Sequence, residues 1–171
     1  MARALFITAN ELKKNSIIDG NVDNDKIVQY IKVAQDTHIQ NYLGTNLYNK
    51  IESLLIAGTM DDIGNAAYKS LWVNYIKPMH TWYSQVSFLP FAMFQITNGG
   101  VYKHGSETGE TITLEEMRSM LDNARSNAEF YTTRFIDYVC DNETDFPEYV
   151  TTSSNSDMYP DRDTNFSGWV L

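Results

Sequence analysis

Tyr75, Met79, Trp82, Val86, Leu89, Met93 and Ile96 follow one another at steps of 4, 3, 4, 3, 4 and 3. That is the period of one helical face. The stripe lies within residues 71–101, and no charge interrupts the chain between Lys77 and Lys103. Pro78 and Pro90 fall inside it. Each lacks an amide proton and crowds the preceding turn. The stripe keeps its phase through both, so the pattern predicts kinks within one helical run rather than ends. A second stripe, Leu114, Met117, Leu121, Ala124, Ala128, Tyr131, Phe135 and Tyr138, predicts a helix over 114–139. Such a helix suits either a coiled coil between subunits or packing within its own domain. About three heptads and a ready partner in the first stripe favour the second arrangement. The two helices would form an antiparallel αα-hairpin.

Shorter patterns fill in the rest. Thr8 with Glu11, and Thr113 with Glu116, have the spacing of capping boxes. Ile27, Ile31, Ala34, His38 and Tyr42 share a face of a helix predicted over 25–43, which Asp23 or Asn24 can cap. Gly44 is placed to end that helix in the left-handed conformation. Thr45 would cap the next one, with Leu47, Ile51, Leu54 and Leu55 inward and Gly58 as its stop. A helix resumes at Asn65. Thr97-Asn98-Gly99-Gly100 is a turn signal, and the polar residues after it form a loop or a small hairpin. The expected fold is all-α. It is a bundle of about five helices with a long antiparallel αα-hairpin, a loop or small β-hairpin near 97–112, and an extended C-terminal arm. A helical domain over 1–141 would precede the arm, 142–171.

Charge distinguishes the arm. The formal net charge is −9 over 171 residues. Residues 1–140 hold 15 acids and 12 bases, whereas 141–171 hold 7 acids and only Arg162. An acidic chain is a poor direct ligand for nucleic acid, which needs a basic face. The arm has no helical period, yet it carries Phe146, Tyr149, Val150, Met158, Tyr159, Phe166, Trp169, Val170 and Leu171. Ordering it alone would cost more backbone entropy than these side chains return, so it needs a surface to dock on. Docking on a neighbour or partner and remaining a solvated acidic tail are the two alternatives.

Reaction chemistry is scarce. His38, His80 and His104 have no helical metal-site spacing, and no HExxH occurs. His38 and His80 lie on apolar stretches and suit hydrogen-bonded core positions. Cys140 is the only cysteine, so no disulfide framework exists. Asn98-Gly99-Gly100 is not followed by the GK[ST] of a phosphate loop. Asp157, Asp161 and Asp163 lack the spacing of a calcium loop. No cofactor, metal or catalytic residue is nominated. The uncharged run over 78–102 is long enough to raise a membrane span. Its polar residues and prolines argue against one, and MARALFITANELKKN has no long apolar leader run. An intracellular protein without membrane association is expected.

Three segments carry a family resemblance. They are IVQYIKVAQDTHIQNYLGTNLY, then YIKP, LPF and ITNGGV, then the helix ending EFYTTRFIDYV. Together they resemble the head–tail connector, or adaptor, proteins of tailed bacteriophages, above all those of crAss-like phages. The resemblance implies a virion structural protein in the neck, assembled in the host cytoplasm. Its subunits would form a homo-oligomeric ring of twelve copies below the portal protein, joining capsid to tail and contacting further neck or tail proteins. DNA would pass through the channel without specific binding. Terminal arms of the family grip neighbours or the portal. The residues expected at such an interface are Phe146, Tyr149, Tyr159, Phe166, Trp169, Val170 and Leu171 in the arm, and Asn98, Gly99, Gly100, Tyr102 and His104 in the loop 98–110. The rival reading is a monomeric acidic helical module that binds another protein, as an inhibitor or DNA mimic. A small enzyme with an unrecognised site is the third.

Overall fold

Thr8 and Thr113 each open a helix as their sequences require. The Thr8 hydroxyl accepts the Glu11 amide at 3.2 Å while the Glu11 carboxylate accepts the Thr8 amide at 2.8 Å. Thr113 and Glu116 repeat this at 3.2 and 2.7 Å. A computed structural model of the chain describes residues 3–18, 21–92, 94–97, 100–103, 112–150 and 158–163. The elements are α1 Ala9–Lys14, α2 Asn24–Ala34, α3 Gln40–Ala57, α4 Ala66–Leu71, α5 Lys77–Ala92, β1 Phe94–Thr97, β2 Gly100–Lys103, α6 Leu114–Asp141 and α7 Pro147–Val150. The architecture is all-α, apart from the small antiparallel hairpin of β1 and β2.

Two helical joints are π turns, at Gln35–Ile39 between α2 and α3 and at Trp72–Ile76 between α4 and α5. In each, the closing amide reaches five residues back, Gln40 to Gln35 and Lys77 to Trp72. The second explains the tolerance of Pro78. The ladder has already slipped by one residue just before it, so the missing amide falls where the regular bond is relaxed. The helical run therefore continues through Pro78, as its stripe predicts.

At Pro90 the expectation fails. α5 stops at Ala92, and Phe94–Thr97 forms a strand paired with Gly100–Lys103 in the register Phe94–Lys103 to Thr97–Gly100. Ile96 therefore belongs to a strand, and the hairpin begins before residue 97. Pro90 sits in the last turn. The aromatic and β-branched residues beyond it, followed by Asn98-Gly99, suit a hairpin better than another turn of helix.

α5 lies at the centre, packed between α2 and α6. Met79, Val86 and Leu89 are buried on the predicted stripe, and Ile76, His80 and Tyr83 are buried beside it. Tyr75 stacks on Tyr138 at 4.1 Å, Tyr83 lies 3.1 Å from Thr132, and Val86 and Leu89 pack with Ala124. This order of pairs runs backwards along α6, so α5 and α6 are the antiparallel hairpin. A separate apolar cluster joins Ile7, Ala9, Leu12 and Ile18 to Ile27 and Ile31 of α2.

Candidate functional site

α3 contains one residue that is not helical. Gly44 has φ 69° and ψ 161°, a region that only glycine enters at low cost. Two helical stretches meet at this residue, so the first ends at Gly44 as expected, with positive φ but an extended ψ in place of the left-handed helical one. The Thr45 hydroxyl, at the start of the second stretch, accepts the amide of Met158 at 2.9 Å, and its own amide donates to the Met158 carbonyl at 2.9 Å. The Asn41 carbonyl, which the Thr45 amide would take in an unbroken helix, accepts the amide of Asp161 at 2.9 Å. The Asn41 side-chain amide donates to the Asp161 carboxylate at 3.2 Å.

Between these bonds the Pro160 ring lies against Gly44. A β-carbon at Gly44 would stand 2.7 Å from Pro160 Cδ and 2.8 Å from its Cγ and N. The break is therefore a slot. It offers one backbone donor, one backbone acceptor, a hydroxyl and room for a ring, and residues 158–161 fill all four.

Acidic groups gather at its edge. Burial pushes the Tyr42 phenol above its ordinary pKa, and the carboxylates of Asp161, Glu129 and Asp163 push it the same way. Behind the slot the Tyr83 hydroxyl donates to Tyr42 at 3.2 Å and pairs with Thr132 at 3.1 Å. His38 stacks on Tyr83 at 4.2 Å between ring centres. This buried polar chain fixes the wall on which the tail rests.

The predicted interface residues divide. Phe146 and Tyr149 are buried within their own chain, in the same core cluster as α3, α5 and α6. Phe146 meets Tyr68 edge-on at 5.5 Å and Tyr138 at 5.9 Å; Tyr149 meets Phe135 edge-on at 6.0 Å. Burial pushes the Tyr149 phenol up to about 12. The Arg162 guanidinium lies 5.2 Å from its ring centre. A boundary at residue 141 thus cuts through packed core. Tyr159 is 56% exposed, beside the slot. Gly100 and Tyr102 lie in β2, opposite Thr97 and Gln95. Asn98, Gly99, His104, Phe166, Trp169, Val170 and Leu171 lie outside the described residues.

Sequence reasoning missed Asn41, Gly44, Thr45, Pro160 and Asp161 as one site. A glycine followed by threonine is as good a stop-and-start signal as a slot, and the partner lies more than a hundred residues away. Among the described residues, no three of His, Cys, Asp and Glu gather as a metal site, and no helix is long and apolar enough to cross a membrane. The arrangement at Gly44 suits recognition of an extended segment by backbone hydrogen bonds.

The family described as "Family of unknown function (DUF6712)" matches residues 39–158. That is more than half of the chain, which therefore belongs to this family. No curated protein and no solved structure matches it.

Proposed function

We propose that this member of the family is a virion structural protein, a head–tail connector subunit that forms a ring below the portal and extends the DNA channel. The observation that carries the reading is the seat of Met158–Asp161 on the break at Gly44. Tyr42-Leu43-Gly44 lies in one of the three segments that carry the resemblance to phage adaptors. Gly44 and its neighbours Asn41 and Thr45 hold the C-terminal arm. A fold that supplies a backbone slot for an arm has the means to hold arms in an assembly. The exposed acids of the arm would then repel DNA passing through the channel.

Imaging of the particle that contains this chain tests the reading. A ring of twelve copies between portal and tail is expected. Particles with no copy at the neck would overturn it. The rival, a monomeric acidic module that binds another protein, predicts instead a single copy on its target and no ring when portal is supplied. Native mass measurement with and without portal separates the two.

A further inference from the structure

The turn between α3 and α4 holds an isoleucine almost wholly in solvent. Gly58 closes α3 in the left-handed region, and the Thr59 amide donates back to the Leu54 carbonyl at 3.1 Å. The Thr59 carbonyl accepts the Asp62 amide at 3.1 Å and the Asn65 side-chain amide at 2.9 Å. The Asn65 backbone amide donates to the Asp62 carbonyl at 2.9 Å. Met60 is buried. This frame presents Ile63 at 97% exposure, next to the exposed Asp62. Asp61 pairs with Lys69 at 2.8 Å, whereas among the described residues no cation pairs with Asp62. The tip is a preformed knob made of one apolar side chain and one unneutralised acid.

A surface of complementary character lies on α6. Phe130 and Arg134 are one turn apart, as are Arg134 and Tyr138. Tyr138 stacks on Tyr75 at 4.1 Å. The Arg134 guanidinium lies 5.5 Å from the Tyr75 ring centre, 5.7 Å from that of Tyr131 and 5.9 Å from that of Phe130. Asp137 follows one turn later, yet among the described residues no carboxylate pairs with Arg134. Rings rather than an acid hold this cation, which leaves its N–H edge open to a planar acceptor. Phe130 is 58% exposed beside it. Arginine with tyrosine is the make-up of interface centres, where a few such side chains carry most of the binding.

We propose that the Arg134 surface seats the 62–63 tip of a second copy of this chain, with the Asp62 carboxylate on the guanidinium edge and Ile63 against Phe130. Charge complementarity argues for this occupant. In a chain of net charge −9, Arg134 has no acid and Asp62 has no cation, and every copy carries both. Knob and seat are different patches, so the contact is heterologous, and each bound copy still offers one of them to the next. The contact rests on the self-association proposed above, and not on where a ring sits in a particle.

The test uses the full chain, without portal and with Cys140→Ser throughout. Ile63→Cys and Phe130→Cys chains of different mass are mixed and oxidised, and disulfide-linked pairs are counted by mass spectrometry. A yield about tenfold above that of Ile63→Cys with Lys32→Cys is expected. Lys32 is exposed on α2, across α5 from α6. Asp62→Lys in the knob chain, or Arg134→Glu in the seat chain, should each return the yield to the control level. The two together should raise it again. All these positions are exposed, and circular dichroism checks that each variant folds. A yield equal to the control, one indifferent to both single charge changes, or a double change that restores nothing would overturn the contact. Particles with no ring at the neck, alongside a charge-dependent cross-link, would remove the ring and leave this interface standing.

Discussion

The amide of Thr45 donates to the carbonyl of Met158 at 2.9 Å, while the Asn41 carbonyl, four residues before Thr45, takes the amide of Asp161. One helical hydrogen bond has been replaced by bonds to the tail. Gly44 makes this possible, and Gly44→Ala should undo it. The new β-carbon would meet Pro160 at 2.7 Å in a backbone region closed to alanine. A loss of about 1–3 kcal/mol is expected in urea unfolding. The tail should become protease-sensitive at residues 158–163. Gly58 supplies the control: its φ is 68° and ψ 19°, and nothing lies within 4 Å of a β-carbon there. Gly58→Asn should leave the tail protected.

Phe146 and Tyr159 are both aromatic residues of the arm, and their substitution should have opposite consequences. Phe146→Ala removes a fully buried ring between Tyr68 and Tyr138 and should cost about 3–5 kcal/mol. Tyr159→Ala removes an exposed ring and should change stability by less than about 0.5 kcal/mol. Chemical denaturation of the two variants measures the contrast.

Truncation separates core from arm. A chain ending at residue 150 keeps Phe146 and Tyr149 in place and should retain a cooperative thermal transition. A chain ending at residue 141 lacks both rings and should unfold at a much lower temperature. Circular dichroism during heating distinguishes these outcomes. Equal melting of the two chains would show that residues 142–150 add nothing to the core.

Acid should destabilise the fold through its histidines. Burial lowers the His80 pKa from 6.5 to about 4, against the raising effects of the Ile31 carbonyl and Asp36; His38 adds a further lowering effect. Burial likewise lowers His38 to about 4. Both are neutral when folded, while the unfolded chain takes up protons below pH 6.5. Stability is therefore fully present above pH 6.5 and is lost as pH falls from 6.5 toward 4. His80→Gln should reduce the slope in that window to about half, because one of two proton-uptake sites is gone. Melting temperature against pH, for wild type and variant, checks this.

The helices were legible because their signals are local. Thr8, Glu11, Thr113 and Glu116 satisfy one another within three residues. The stripe from Leu114 to Tyr138 needs no knowledge of its partner to be recognised. One local signal met a stronger competitor: the stripe keeps its phase through Pro90 to Ile96, but the hairpin propensity of Phe94–Thr97 prevails. The break at Gly44 is legible, whereas the use of the groups beside it, on Asn41 and Thr45, by Met158 and Asp161 is not. No period or spacing encodes a bond across 113 residues. The contact of the Gln35 side chain with the Phe6 amide and the Ala4 carbonyl, both at 2.9 Å, is hidden for the same reason. Gln35 looks like one more polar residue on a helix until Ala4 and Phe6 are placed beside it.

The break at Gly44 also governs how solvent reaches the middle of α3. Deep in an ordinary helix, an amide proton exchanges only when that helix opens. The Thr45 amide is held from residue 158 instead, so its deuterium uptake follows the lifting of the tail. Ile51, beyond the first turn after the break and fully buried, keeps the slower clock of the core. A single backbone position therefore times the departure and return of the arm.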